Sequence, residues 1–255
     1  MKVNNEHRSH FWTIIMLVDP VRLLPSRWKP DSEVMEGVLW GRPEWVPSAA
    51  YWAILAATAD EAQHGFSDKD LTLAQEVGFC LLGGYGITAE VNKAYFDLLR
   101  DEGVFETESF WSAEEIEVLL RRPTQVNGRP RRYRFPRQKS ARISQALERL
   151  KMMTPQLDDH LAFRRDLMAI PGIGPKTASW IVRNWLESDK VAILDIHVLR
   201  AGELIGLFDR NYTLPRDYER LERRFLDFCD ALGVRASLMD AIIWTEMREL
   251  GRGSI

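Results

Sequence analysis

Cysteine is nearly absent. The chain has two, Cys80 and Cys229, too few for a four-thiolate iron–sulfur cluster or a Cys-rich zinc site. Two thiols make no disulfide framework either, so a reducing cytoplasm is the expected setting. Long apolar runs are also missing. The run at 11–18, ended by Asp19, is far too short to span a bilayer and has no small-residue cleavage site after it. It reads as a core helix or strand. Positive charge is not in surplus: the formal net charge is −3 over 255 residues, which argues against a uniformly basic DNA-coating protein. No internal repeat or low-complexity tract occurs, and strand-like alternation is scarce. The length is enough for a large core, in one helical domain or in two closely joined lobes.

What is present is mostly helical punctuation. The stretch 71–82 reads as an apolar helix ending at Gly83-Gly84-Tyr85-Gly86, and Thr88 reads as the cap of the next, which carries Val91, Ala94, Tyr95, Leu98 and Leu99. Ser112 and Glu115 form a capping box before 116–120. Ile143, Ala146, Leu147 and Leu150 follow Lys139-Ser140 at helical spacing, and a second helix after Pro155 stops at Pro171-Gly172. Pro175 suits the first turn of a helix running to about Leu186. Asp195 opens another through Leu204, and two more are expected at 216–231 and 236–249. Residues 1–68 hold five of the nine tryptophans and are expected to form an irregular, partly helical layer on a helical core at 69–255.

Charge is uneven. From Arg121 to Arg149 the chain carries Arg122, Arg129, Arg131, Arg132, Arg134, Arg137, Lys139 and Arg142, with Glu148 as the one acid. Tyr133 and Phe135 interleave with them. An arginine-rich loop with aromatics suits phosphate contacts, and a solvated loop is the plainer alternative.

The densest signal is Pro171-Gly172-Ile173-Gly174-Pro175-Lys176-Thr177-Ala178, with Asp195 following Lys176 by 19 positions inside Ile193-Leu194-Asp195-Ile196-His197. A glycine-rich hairpin running into a helix presents backbone N–H groups and a positive helix end, the geometry that binds a phosphate. An amine at that end is a nucleophile once neutral, a form favoured by the helix end and a dry pocket. A carboxylate can stabilise a developing positive charge, although Asp is also an ordinary helix cap.

The stretch 167–178 resembles the helix-hairpin-helix signature of the helix-hairpin-helix DNA glycosylases, and Lys176 followed by Asp195-Ile196-His197 resembles their 8-oxoguanine DNA glycosylase/lyase branch. The resemblance is strongest over 139–205 and weaker over 70–100 and 216–250. It implies an all-α fold of two helical lobes, with the hairpin and the active site at the cleft between them. It implies Lys176 as an imine-forming nucleophile and Asp195 as its helper and the stabiliser of an oxocarbenium-like sugar. It also implies that His197 touches a backbone phosphate, and that the Gly172 and Gly174 backbone takes a phosphate and holds a monovalent cation. By similarity to the endonuclease III branch, Tyr85 would fill the gap left by a flipped base, with Asn92 near the same surface.

Trp180 follows Lys176 by one turn, and Trp244 follows Asp240 by one turn in the last helix. In the family that helix offers a polar residue and then an aromatic to the base. The eukaryotic members have Gln where this chain has Asp240 and a Cys-type residue where it has Trp180; an Asp/Trp pair resembles the archaeal members. A carboxylate accepts only, so Asp240 would favour a base showing N–H groups, as guanine does. Two indoles would stack on the extruded base.

The expected function is therefore a bifunctional DNA glycosylase/AP lyase on oxidised guanine in duplex DNA, with Arg131, Arg132, Arg134 and Lys139 on the phosphates. It would need no cofactor or required metal, and would act as a monomer in the cytoplasm at the nucleoid, away from membranes. The same chemistry on another modified base and a non-catalytic hairpin module are the alternatives. A monofunctional alkylated-base glycosylase would not need Lys176.

Overall fold

The computed structural model describes residues 28–59, 71–108 and 110–252. The apolar run at 11–18 lies outside them. In chain order the elements are β1 (Glu33–Met35), β2 (Val38–Leu39), α1 (Ala49–Thr58), α2 (Leu73–Leu82), α3 (Ala89–Asp101), α4 (Ala113–Arg121), β3 (Thr124–Val126), β4 (Arg129–Arg131), α5 (Pro136–Met152), α6 (His160–Met168), α7 (Pro175–Trp185), α8 (Ile196–Leu204), α9 (Tyr218–Leu232) and α10 (Ala236–Arg252). The all-α expectation holds, with two small antiparallel hairpins added. No described helix is long and apolar enough to cross a membrane. The chain forms two compact units, Phe66–Ile193 on the one hand and Met1–Gly65 with Leu194–Ile255 on the other.

In the unit Phe66–Ile193, the starts of α2, α3, α4 and α6 are set by side-chain caps. Thr72 accepts from the Gln75 N–H at 3.3 Å while the Gln75 side chain accepts from the Thr72 N–H at 3.0 Å. Ser112 and Glu115 repeat that reciprocal pair, and Thr88 and Asp159 cap α3 and α6. Each cap satisfies amide hydrogens that the first turn cannot pair by itself. The core gathers Val77, Leu81, Tyr95, Leu99, Ile143, Phe163 and Ile181, with α2 packed on α3, α5 and α7.

The arginine-rich segment differs from the loop expected of it. Thr124–Val126 and Arg129–Arg131 pair in register about an Asn127-Gly128 turn, both residues having positive φ (50° and 74°), the pairing of residue and conformation that closes tight hairpins. Arg129, Arg131, Arg132 and Arg134 are exposed, but Tyr133 is buried and Phe135 half-buried. Tyr133 packs on Tyr95 with centroids 4.9 Å apart and donates from its hydroxyl to Leu82 O. The Tyr95 hydroxyl lies 2.7 Å from Arg122 O and 3.0 Å from Arg131 O and accepts from the Tyr133 N–H. So the cations face out while the aromatics anchor the hairpin.

Lys139 requires a correction. Helix α5 begins at Pro136, so Lys139 lies in its first turn on the inner face, 7 % exposed. Its Nζ donates to Leu81 O at 2.5 Å and Gly83 O at 2.6 Å. It is part of the interior and not a member of the exposed cationic set.

The second unit holds α1, α8, α9, α10 and the β1–β2 hairpin. Helix α10 packs on α1, α8 and α9, and α9 also meets β1. Trp52, Leu221, Phe225, Phe228 and Met239 are fully buried there. Arg224 ties the hairpin to this unit by donating to Glu36 O at 2.6 Å and Leu207 O at 2.5 Å.

Two helical glycines mark the tightest packing. A Cβ at Gly78 would stand 2.2 Å from Cε1 of Phe105, and one at Gly202 2.2 Å from Cδ2 of Phe208. Both rings are buried and have little room to retreat. Each Gly→Ala change should therefore destabilise by about 1–3 kcal/mol, overpacking outweighing the roughly 1 kcal/mol gained in helix propensity. Urea titration checks this; an unchanged or raised midpoint would show the rings yielding freely.

A second expectation concerns pH. Burial, with Arg142 and Lys176 as like-charged neighbours, pulls Lys139 down from the ordinary 10.5 to about 8. Folded, this lysine binds fewer protons than unfolded between those values. Its contribution to stability is therefore complete above 10.5 and is lost as pH falls through 8. Burial acts oppositely on Cys80, holding the thiol protonated well above 9.0, so only a difference measurement isolates the lysine. Wild type should gain on Lys139→Met by about 1–3 kcal/mol from pH 8 to 10.5, the upper figure being the unscreened limit. Parallel stability profiles would refute it.

Candidate active site and nucleic-acid interface

The hairpin forms because α6 stops one turn before Pro171. Ala169 caps it, Ile170 N–H returns to Leu167 O at 3.0 Å and Ile173 N–H to Ile170 O at 3.1 Å. Gly172 sits at φ +90°, a conformation that disfavours any side chain, and a Cβ there would lie 2.6 Å from Cδ of Arg142. Gly174 is the N-cap of α7, with open space around its Cα and no side chain capping the first turn. The first-turn amides are thus left for an outside acceptor. A groove of about 650 Å³ beside the hairpin is lined by Arg137, Gln138, Ala141, Arg142, Gln145, Pro171 and Gly172.

Lys176 is the second residue of α7 and is half-buried. Its charge bears on Lys139 and on Cys80, which places the amine toward α2 and α5. Behind it lies a polar cluster that sequence reasoning missed. Glu76, 2 % exposed, accepts from Asn184 Nδ2 at 3.2 Å and from the Cys80 thiol at 3.6 Å, and Arg183 donates to Asn184 Oδ1 at 2.7 Å. Burial raises the Glu76 carboxyl above its usual range against those partners. A single acid on a largely apolar helix is the available signal. Trp180 is half-buried one turn after Lys176, edge-on to Phe79 at 6.4 Å.

Tyr85 is 94 % exposed between Gly84 and Gly86, both at positive φ (134° and 80°). Asn92 is buried and donates to Phe79 O, so it belongs to the interior. A second groove, of about 670 Å³, runs from Gly86 and Thr88 along Arg129, Arg131, Arg132 and Arg134. Tyr85 and the exposed arginines therefore sit close together on one unit.

The other candidates lie in the unit containing Leu194–Ile255. Asp195 is the N-cap of α8, its Oδ1 accepting from the N–H groups of His197 (2.9 Å) and Val198 (3.0 Å). These bonds fix the carboxylate. His197 meets Trp244 edge to face, 6.4 Å and 85° apart, and the Arg248 guanidinium lies 4.3 Å from the centroid of the same indole. Trp244 is 37 % exposed, while Asp240, one turn earlier, is 4 % exposed and engaged within the fold. The structure brings His197 and Trp244 together and places Asp240 inside. No grouping of His, Cys, Asp or Glu among the described residues could hold a metal ion.

Comparison with known proteins converges on one family. Residues 57–234 match the 8-oxoguanine DNA glycosylase family. An 8-oxoguanine DNA glycosylase/AP lyase from Fusobacterium nucleatum is 24 % identical over 190 residues, covering 70 % of this chain and 80 % of the relative. The 8-oxoguanine DNA glycosylase of Methanocaldococcus jannaschii superposes with a TM-score of 0.53 at 25 % identity, over 72 % of this chain and 79 % of that one. That of Thermotoga maritima gives 0.51 at 23 %, over 78 % and 86 %. With the hairpin, Lys176 and Asp195 all inside the matched residues, the chain belongs to the 8-oxoguanine DNA glycosylase family.

Proposed function

We propose that this protein is a bifunctional DNA glycosylase/AP lyase that flips 8-oxoguanine out of duplex DNA and excises it through a Schiff base on Lys176. The supporting observation is the placement of that lysine, at the start of a helix whose first-turn amides no side chain caps, within the residues matched to the family. The neutral amine would attack C1′ as the glycosidic bond breaks and the base departs with the electron pair. Loss of the amine proton and ring opening give the imine; removal of a C2′ proton then expels the 3′ phosphate. Asp195, held by two amides, would face the cationic sugar.

In this reading the phosphate beside the lesion lies on the Gly172–Gly174 backbone, with a monovalent cation on the hairpin carbonyls, and His197 touches a neighbouring phosphate. Trp180 and Trp244 stack on the base, Asp240 reads its N–H edge, and Tyr85 fills the vacated stack. The enzyme acts as a monomer on nucleoid DNA and needs no cofactor.

Lys176→Gln should still bind lesion-bearing duplex yet release no base and give no borohydride-trapped complex. Trapping at the wild-type level would overturn the assignment. In the same assay Asp195→Asn should bind normally but excise at least about a hundredfold more slowly, the order seen when a positioned charge is lost from a dry site. An oxidised pyrimidine excised in place of 8-oxoguanine would move the reading to another base and leave the chemistry intact.

The arginine face should supply affinity blind to sequence and damage. Replacing Arg131, Arg132 and Arg134 together with Ala should weaken all duplexes alike and flatten the salt dependence by roughly one phosphate contact per arginine. An unchanged slope would return the hairpin to a solvated surface.

A further inference from the structure

Three elements converge on the last carbonyls of α2. A helix end leaves its final carbonyls without intrahelical donors; side chains supply them here at Leu81, Leu82 and the following Gly83, and Phe79 O, already bonded by the Gly83 N–H at 3.3 Å, takes a second donor. Lys139 of α5 donates to Leu81 O at 2.5 Å and to Gly83 O at 2.6 Å, the Tyr133 hydroxyl to Leu82 O, and Asn92 Nδ2 of α3 to Phe79 O at 3.2 Å. All three donor residues are buried. Just beyond this clamp the chain turns, with Ile87 N–H on Gly84 O at 3.0 Å. Gly86 lies so close to Arg134 that a Cβ would stand 2.3 Å from its Nη1. Mounted on that frame is Tyr85, the most exposed large apolar side chain among the described residues.

A simple cap would satisfy the end of α2 without bringing an ammonium indoors, where it is stable only if its donors find partners. Lys139 does more than cap. It holds one carbonyl inside the last turn and one beyond it, and so couples the helix to the loop that carries Tyr85. The charge also complements the negative end of α2.

We infer that Lys139 is a positioning residue for Tyr85, fixing residues 81–84 so that the ring is aimed for insertion into the base stack before DNA arrives. This rests on the reading of Tyr85 as the residue that fills the vacated stack. A ring held in place loses less conformational freedom on binding than one on a loose loop.

The test compares single-turnover excision of 8-oxoguanine from a duplex with borohydride trapping on a duplex that already carries an abasic site. The second reaction needs Lys176 but extrudes no base. Lys139→Met should slow excision about tenfold or more, leave abasic trapping within about threefold, and add nothing to Tyr85→Ala in the double variant. Tyr133→Phe, which removes one donor of the same clamp, should show this pattern at smaller size and carries the test if Lys139→Met does not fold. Equal losses in both reactions, or effects that multiply in the double variant, would overturn the inference. Wild-type excision by Tyr85→Ala would instead remove the reading of Tyr85 itself, and the inference with it.

Discussion

The unit Phe66–Ile193 is organised around the end of α2, where backbone carbonyls point into protein and must find donors there. Lys139 of α5 and Tyr133, in the loop between β4 and α5, meet that demand, and Asn92 of α3 adds a second donor to Phe79 O. Because each donor is also core, the bonds fix more than a helix end. Tyr133 fixes where the arginine hairpin leaves the body, Lys139 fixes the register of α5 against α2, and α7, which presents Lys176, packs on the same α2. A buried polar network joined in this way specifies one arrangement more sharply than apolar contact would, even though Asn92 Oδ1 has no hydrogen-bond partner among the described residues.

How much of this could be read from the sequence depended on how local the signal was. Thr88, Ser112 and Asp195 act on amides two or three residues away, and those helix starts are legible; the helix read from Leu71 starts at Leu73, behind the Thr72 cap. Pro175 and the hairpin glycines were legible for the same reason. Lys139 was not, because its acceptors lie 58 and 56 positions upstream, and an isolated lysine in a run of arginines looks like one more surface charge. Tyr133 reads as a loop aromatic for the same reason, since Tyr95 and Leu82, which hold it inside, lie 38 and 51 positions upstream. The β3–β4 pairing was signalled by Asn127-Gly128 but masked by Pro130 and flanking cations, which make poor strand candidates.

The catalytic candidates show a different kind of non-locality. Lys176 and Asp195 are 19 positions apart, yet the chain leaves one compact unit at Ile193 and joins the other at Leu194. The motif that carries the family resemblance therefore straddles a structural boundary that no change in composition marks. Residues Met1–Gly65 and Leu194–Ile255 share a unit although most of the chain separates them, an association that local propensity cannot announce.

Trp244 is a partly exposed indole that is already occupied. Arg248 lies over its ring and His197 meets it edge-on, so part of the π surface is spent on the protein's own cation before any ligand approaches. With a guanidinium over its face and an imidazole at its edge, the ring is braced from two directions by side chains of its own unit, which a bare surface indole would lack.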